Sequence, residues 1–212
     1  MKTAILIGGG KSVIEGIELG LWDKIKDKAD IFSINYAFKT MPYLPNKQVW
    51  VDTTFFKNNL GDLETLYKAG VECHCKKNAK YNAILEIIQH DTSRDEVTKD
   101  KLYIGAMGLS GTFAIALTIK LGYDRIFLLG YDFGTTSIKD THTHYYQHTG
   151  IQFLSNGVRN PQVYMTDNGV KREVKLFDKF KSSLYNIYNV SMTSNINSFP
   201  KISYNELFER LK

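Results

Sequence analysis

At 212 residues, with 43% hydrophobic and 23% charged residues, the chain has the balance of a soluble globular protein, which excludes a disordered or low-complexity scaffold and supports one domain over residues 1–212. No apolar run reaches the roughly 18 residues that span a bilayer and no signal-peptide layout precedes the first strand pattern, so the expectation is a cytoplasmic protein without a membrane span. The net charge of +5 sits in the last third: residues 151–212 carry 9 Lys and Arg against 5 Asp and Glu, whereas residues 1–150 are balanced at 18 against 17.

In chain order, residues 3–7 form a short apolar run that ends in Gly8, Gly9 and Gly10, followed by Lys11 and Ser12. Val13, Ile14, Ile17 and Leu21 then recur at helical spacing, so the reading is strand, tight turn, helix. Residues 31–34 read as a second strand closing on Asn35, and residues 48–51 as a third closing on Asp52. Weaker strand signals lie at 71–75 and 101–104, separated by a helix-like stretch around 83–88 and a polar loop over 91–100. Cys73 and Cys75 stand one residue apart, too close for an ordinary disulfide and too few for a zinc cluster, and fit the in-and-out alternation of a strand.

Ser110 and Gly111 open a helix through Phe113, Ala114, Leu117 and Leu121, which Gly122 ends. The run 125–129 leads to Gly130, Tyr131 and Asp132, and its lack of alternation suits a parallel strand buried on both faces. Residues 134–171 form an irregular, lid-like loop with three histidines, His142, His144 and His148. A basic amphipathic helix is predicted over 175–188, a short strand over 190–192, and a last helix opened by a capping box at Ser203 and Glu206. Alternating strands and helices imply an α/β, Rossmann-like, doubly wound and mostly parallel sheet. Ligands of such sheets sit at the carboxyl ends of the strands, where the glycine turn, Asn35, Asp52 and Asp132 would converge.

The glycine turn is neither a P-loop, which would need glycine at Ile5, nor a dinucleotide fingerprint, which would need it at Val13. It remains a turn whose backbone amides and helix start suit a phosphate, though a structural turn has the same sequence. The histidines admit three readings: a metal site through His142 and His144, a surface loop, or acid/base chemistry. No D-x-D stands in the chain to hold a divalent ion against a pyrophosphate. The basic last third suits either an anionic partner or a solvated face.

Several stretches resemble a known family. Gly8 to Val13 is similar to the G-x-G-P-S-L turn of bacterial lipooligosaccharide sialyltransferases and of related hydroxymethylpterin pyrophosphokinase-like proteins. Asn35 resembles the asparagine after their second strand, and Asp52 stands where the sialyltransferases have Asn before an aromatic segment. Ser110 and Gly111, the alanine-containing helix, Leu121-Gly-Tyr and Gly130-Tyr-Asp-Phe133 resemble the S-G…A-L-G-Y…G-x-D-F stretch. His144-Tyr-Tyr-Gln-His148 resembles H-Y-x-G-H, whose last histidine is the general base.

The resemblance implies a nucleotide-sugar-dependent, inverting glycosyltransferase with no cofactor and no required metal, the nucleotide sugar being a substrate. It assigns Gly8, Gly9, Gly10, Ser12, Asn35, Asp52, Ser110, Gly111 and Asp132 to the donor, Tyr145 to the leaving phosphate and His148 to the acceptor proton. His144, Lys171, Arg172 and Lys175 are the acceptor-side candidates, for a glycan or a modified nucleic-acid base. The family's arginine ahead of S-G is Met107 here, which implies a neutral sugar. The alternatives are a pyrophosphokinase-like enzyme on a small heterocycle and a noncatalytic nucleotide- or nucleic-acid-binding module.

Overall fold

Short β-branched and aromatic runs separated by helical periodicities build a sheet whose strands are all parallel. The computed structural model describes residues 1–76, 88–90, 109–133, 144–146, 174–180 and 186–212. Its strands are β1 (Thr3–Ile7), β2 (Asp30–Ile34), β3 (Lys47–Trp50), β4 (Glu72–Lys76), β5 (Ile88–His90), β6 (Arg125–Leu129) and β7 (Asn186–Asn189). They lie in the order β5-β4-β3-β2-β1-β6-β7, and every pairing is parallel. The expected α/β doubly wound, Rossmann-like sheet is therefore present. The chain winds outward from β1 to β5, then returns to lay β6 and β7 on the other side of β1, so the winding reverses between β1 and β6.

β1 is buried at all five positions, as its unbroken apolar run demands. Ala4, Leu6, Phe32, Ile34, Ile126 and Leu128 face α5 (Ser110–Lys120), whose Phe113, Ala114 and Leu117 complete that core. Ile5, Ile7, Ile31, Phe127 and Leu129 face the opposite side, against α1 (Val13–Glu18), α2 (Leu21–Ile25) and the last helix, α6 (Tyr204–Arg210). A third cluster packs Trp50, Cys73 and Cys75 on α3 (Thr53–Asn58) and α4 (Leu60–Lys68). The cysteines do not stand one in and one out as expected: residues two apart on a strand share a face, and Cys73 and Cys75 are both buried free thiols, with burial pushing each up to about 12.

Three expected elements differ. The first helix is two short pieces, because Gly20 adopts φ +78° between them. The helix-like stretch around 83–88 runs into strand β5 at Ile88, and residues 81–87 lie outside the described residues. In place of a helix over 175–188 stand a 3-10 turn (Lys175–Phe180) and β7, and the strand expected at 190–192 lies at Asn186–Asn189 instead. The physical cause is legible in burial: Phe177 and Phe180 are satisfied three residues apart, the 3-10 period, while Ile187 and Asn189 alternate inward as a strand requires. The capping box at Ser203 is present as expected, with Ser203 Oγ accepting from the Glu206 amide and Glu206 accepting from the Ser203 amide. The strand signal at 101–104 falls outside the described residues.

Candidate functional site

The carboxyl ends of β1 and β6 meet through the glycine turn. The amides of Gly8 and Gly10 donate to the carbonyls of Leu129 and Gly130, at 2.7 and 2.8 Å. Asp132 reaches across to the start of α1, where its carboxylate accepts from the Ser12 amide at 2.8 Å and from the Ser12 hydroxyl. A carboxylate thus fills the positive end of this helix, supplied by the segment that follows β6 rather than by the helix's own N-cap side chain. Gly10 must be glycine for this reason: a Cβ there would lie 2.5 Å from Asp132 Oδ2 and 2.7 Å from the Gly130 carbonyl. The expected amide cradle for a phosphate is therefore engaged at Gly8, Gly10 and Ser12 by protein acceptors. Among the described residues, the Gly9 amide has no backbone acceptor.

The segment 131–133 is held from behind. Asn189 Nδ2 and Ser194 Oγ both donate to the Tyr131 carbonyl, and the backbone and side chain of Asn195 bond the carbonyls of Asp132 and Phe133. Phe133 sits at φ +47°, a left-handed conformation that these bonds stabilise. The Tyr131 hydroxyl donates to the Gly111 carbonyl at 3.1 Å, and a Cβ on Gly111 would lie 3.0 Å from that ring. Gly111 thereby ties the start of α5 to the end of β6.

A second group of residues gathers at the ends of β2 and β3. Ser110 Oγ donates to Asn35 Oδ1 at 3.1 Å and accepts from the Val51 amide at 3.3 Å. Gln48 Nε2 donates to the Asn35 carbonyl, which holds this non-glycine residue at φ +52°. Helix α5 begins here behind the apolar Leu109 and without a side-chain cap, so its positive end faces this group. Asp52 is adjacent but exposed, and its Oδ1 caps α3 by accepting from the Thr54 amide at 2.7 Å.

Aromatic side chains join the two groups. The Tyr36 and Tyr146 rings lie 5.9 Å apart, Tyr36 meets Phe55 edge-on at 5.1 Å, and His144 stacks on Tyr146 at 5.1 Å. Burial lowers the His144 imidazole to about 4, so it is neutral at pH 7. Tyr145 is 1% exposed, its hydroxyl 2.8 Å from Thr40 Oγ1 and donating to the Ala37 carbonyl. The hydroxyl is thus buried against the 3-10 turn Asn35–Thr40 and anchors the segment there. Burial also pushes that hydroxyl up to about 12.

Gly8, Gly9, Gly10, Ser12, Asp132, His144 and Tyr145 thus come together at the β1–β6 junction, and Asn35, Ser110 and Gly111 beside them. His142, His148, Lys171 and Arg172 lie outside the described residues. Lys175 is exposed at the start of its 3-10 turn. Sequence reasoning missed Tyr36, Thr40 and Tyr146, although Tyr36 directly follows Asn35 and Tyr146 stands inside the histidine motif. Among the described residues, no group of three His, Cys, Asp or Glu side chains is placed to hold a metal, and no helix is long and apolar enough to cross a membrane.

No family model and no curated protein sequence matches the chain. In structure the chain is similar to the sialyltransferase CST-II, solved with a trisaccharide acceptor and CMP. The TM-score is 0.51 at 16% identity, over 95% of this chain and 86% of that one. At that identity the likeness concerns the fold.

Proposed function

We propose that this chain transfers a sugar from a nucleotide-sugar donor to an acceptor hydroxyl, with inversion and without a metal. The observation that carries this reading is the meeting of the glycine turn, Asp132 and the His144–Tyr146 segment with Asn35 and Ser110 at the winding reversal, where doubly wound sheets bind ligands. The likeness of the fold to a sialyltransferase agrees with it. In this reading the donor lies along the carboxyl edge, its phosphate toward the uncapped start of α5 and its sugar toward Gly9 and Tyr146.

His148 takes the acceptor's hydroxyl proton as the acceptor oxygen bonds to the anomeric carbon. The bond from that carbon to the phosphate oxygen breaks, and the nucleotide leaves with the electron pair. Asp132 and Tyr145 keep the frame rigid. Met107 in place of a basic residue favours a neutral sugar, the acceptor is a glycan hydroxyl, and Lys171, Arg172 and Lys175 are the candidates for contact with it.

The test incubates the full chain with CMP-, UDP-, GDP- and dTDP-sugars, with and without excess chelator, and reads transfer and donor hydrolysis by mass. At least one donor is expected to turn over in chelator. His148→Ala is expected to lower turnover by roughly 10²–10⁴ with donor affinity kept, whereas His142→Ala does not. Nucleotide binding without turnover across the panel, or a strict requirement for Mg²⁺ and ATP, overturns the reading.

A further inference from the structure

Gln48 is a glutamine with no exposed surface, set inside the sheet. On β3 it stands in register between Ser33 of β2 and Cys73 of β4. Its Nε2 donates to the Asn35 carbonyl at 2.9 Å, and its Oε1 has no partner among the described residues. A buried amide with an unanswered acceptor costs free energy that an apolar side chain of the same length does not. What this position has that an apolar residue lacks is the bond to Asn35.

Asn35 is the residue at which the chain leaves β2 for the 3-10 turn, and its φ of +52° decides where its side chain points. A return to negative φ would swing that side chain off the start of α5. The left-handed region admits asparagine more readily than other residues with a Cβ, yet it is not the conformation asparagine prefers. The turn has its own backbone bonds, and it is also held by Tyr36 against Phe55 and Tyr146 and by Ala37 and Thr40 against Tyr145. Those contacts seat the turn as a whole, whereas the Gln48 amide acts on its first residue.

From Asn35 the bonds continue. Ser110 Oγ donates to Asn35 Oδ1 at 3.1 Å, and the amide of Val51, three residues beyond Gln48, donates to Ser110 Oγ at 3.3 Å. The ring closes from β3 through the end of β2 and the start of α5 back to the end of β3. Within it Asn35 Oδ1 is engaged, so Nδ2 is the group of that side chain that remains to donate.

We propose that Gln48 is a positioning residue: it holds Asn35 in the left-handed conformation and thereby aims the Asn35 side-chain amide at the donor site, without touching the donor itself. The consequence for the donor rests on the transferase reading above, but the hold on Asn35 does not.

The experiment compares wild type, Gln48→Met, Asn35→Ala and Gln48→Met/Asn35→Ala. Methionine keeps the length of glutamine and drops both polar atoms. The midpoint of thermal unfolding of Gln48→Met is expected at or above that of the wild type, because the unanswered Oε1 goes with the bond. The φ of Asn35 is read by NMR from its Cα and Cβ shifts and its amide-to-α coupling, and in Gln48→Met it is expected to leave the left-handed region. This readout needs no ligand, so it decides the hold on Asn35 even where the wild type binds no nucleotide, a result that counts against the transferase reading alone.

CMP affinity, measured by calorimetric titration, is expected to fall by about tenfold in Gln48→Met and similarly in Asn35→Ala, with no further loss in the double variant, since the two residues act as one unit. With an active donor, the loss appears in KM while kcat is kept. An Asn35 that stays left-handed in Gln48→Met overturns the proposal. So does wild-type CMP affinity in Gln48→Met, where the wild type binds CMP, or losses that add in the double variant. Where Gln48→Met is poorly folded, Gln48→Leu is measured in its place, and unfolding of both overturns the proposal too, because the amide is then structural.

Discussion

The two edges of this sheet handle polar groups in opposite ways. At the amino edge the charged side chains answer one another: Lys47 pairs with Glu72 at 2.6 Å, His74 lies 3.2 Å from the same carboxylate, and the Tyr123 hydroxyl donates to Asp30. At the carboxyl edge the polar groups reach across chain segments that are distant in sequence, as Asp132 does to Ser12 and Ser110 to Asn35, and among the described residues the start of α5 has no side-chain cap. A concavity at the amino edge lies between Lys2, Lys28, Asp30, Tyr43 and Asn46, away from the glycine turn. This concavity at the strand starts and the convergence of helix starts and strand ends thus lie at opposite edges of the sheet.

The largest expected difference between the edges is in stability at neutral pH. Asp132→Ala leaves the start of α1 without its acceptor and should cost about 1–3 kcal/mol, read from urea denaturation. Glu72→Gln removes a half-exposed partner of Lys47 and should cost under about 1 kcal/mol. Equal costs would mean that Asp132 is an ordinary surface carboxylate.

Acid separates the edges next. Burial depresses His144 to about 4 and also lowers His74, against the pull of Glu72. A histidine whose folded value lies below its unfolded one stabilises the fold fully above about 6.5, and that contribution is lost as pH falls through the folded value. The denaturation midpoint should therefore be flat above pH 7 and decline from 6.5 toward 4. His144→Gln should flatten the decline more than His74→Gln does, placing the acid-sensitive point at the carboxyl edge. A midpoint constant from pH 7 to 4.5 in the wild type would remove both assignments.

The smallest effect is at the amino-edge hollow. Lys28→Ala should shift stability by no more than about 0.5 kcal/mol and leave nucleotide binding, measured by titration with CMP, unchanged. Weakened binding would move the site to the other edge.

The strands β2 and β6 on either side of β1 were legible because their apolar runs are short, unbroken and closed by Asn35 and by Gly130. The convergence of Gly8, Ser12 and Asp132 followed from that topology alone. What lay hidden was the direction of individual polar groups. Nothing in the spacing of Gly8, Gly10 and Ser12 tells whether their amides face a ligand or the end of β6, since that is decided by Asp132, 120 residues away from Ser12. The tyrosine pair posed the same difficulty: both are buried, and the direction of the Tyr145 hydroxyl is set by Thr40 on a different crossover. Residues 175–188 misled because Phe177 and Phe180 satisfy a helical pattern and a 3-10 turn equally well.

The placement of β1 inside the sheet, between β2 and β6, has a consequence for how the chain is made. Thr3 pairs with Arg125, 122 residues further on, while its other neighbour, β2, begins at Asp30. At a synthesis rate of about 5–20 residues per second, one side of β1 waits roughly 6–24 s for β6 to leave the ribosome. During that interval the run Thr3-Ala-Ile-Leu-Ile7 is an apolar strand with an open hydrogen-bonding edge, the kind of surface that recruits other chains. The strand that later anchors the glycine turn is therefore the point of greatest aggregation hazard on the nascent chain, and slowing translation between residues 35 and 125 should lower the soluble yield.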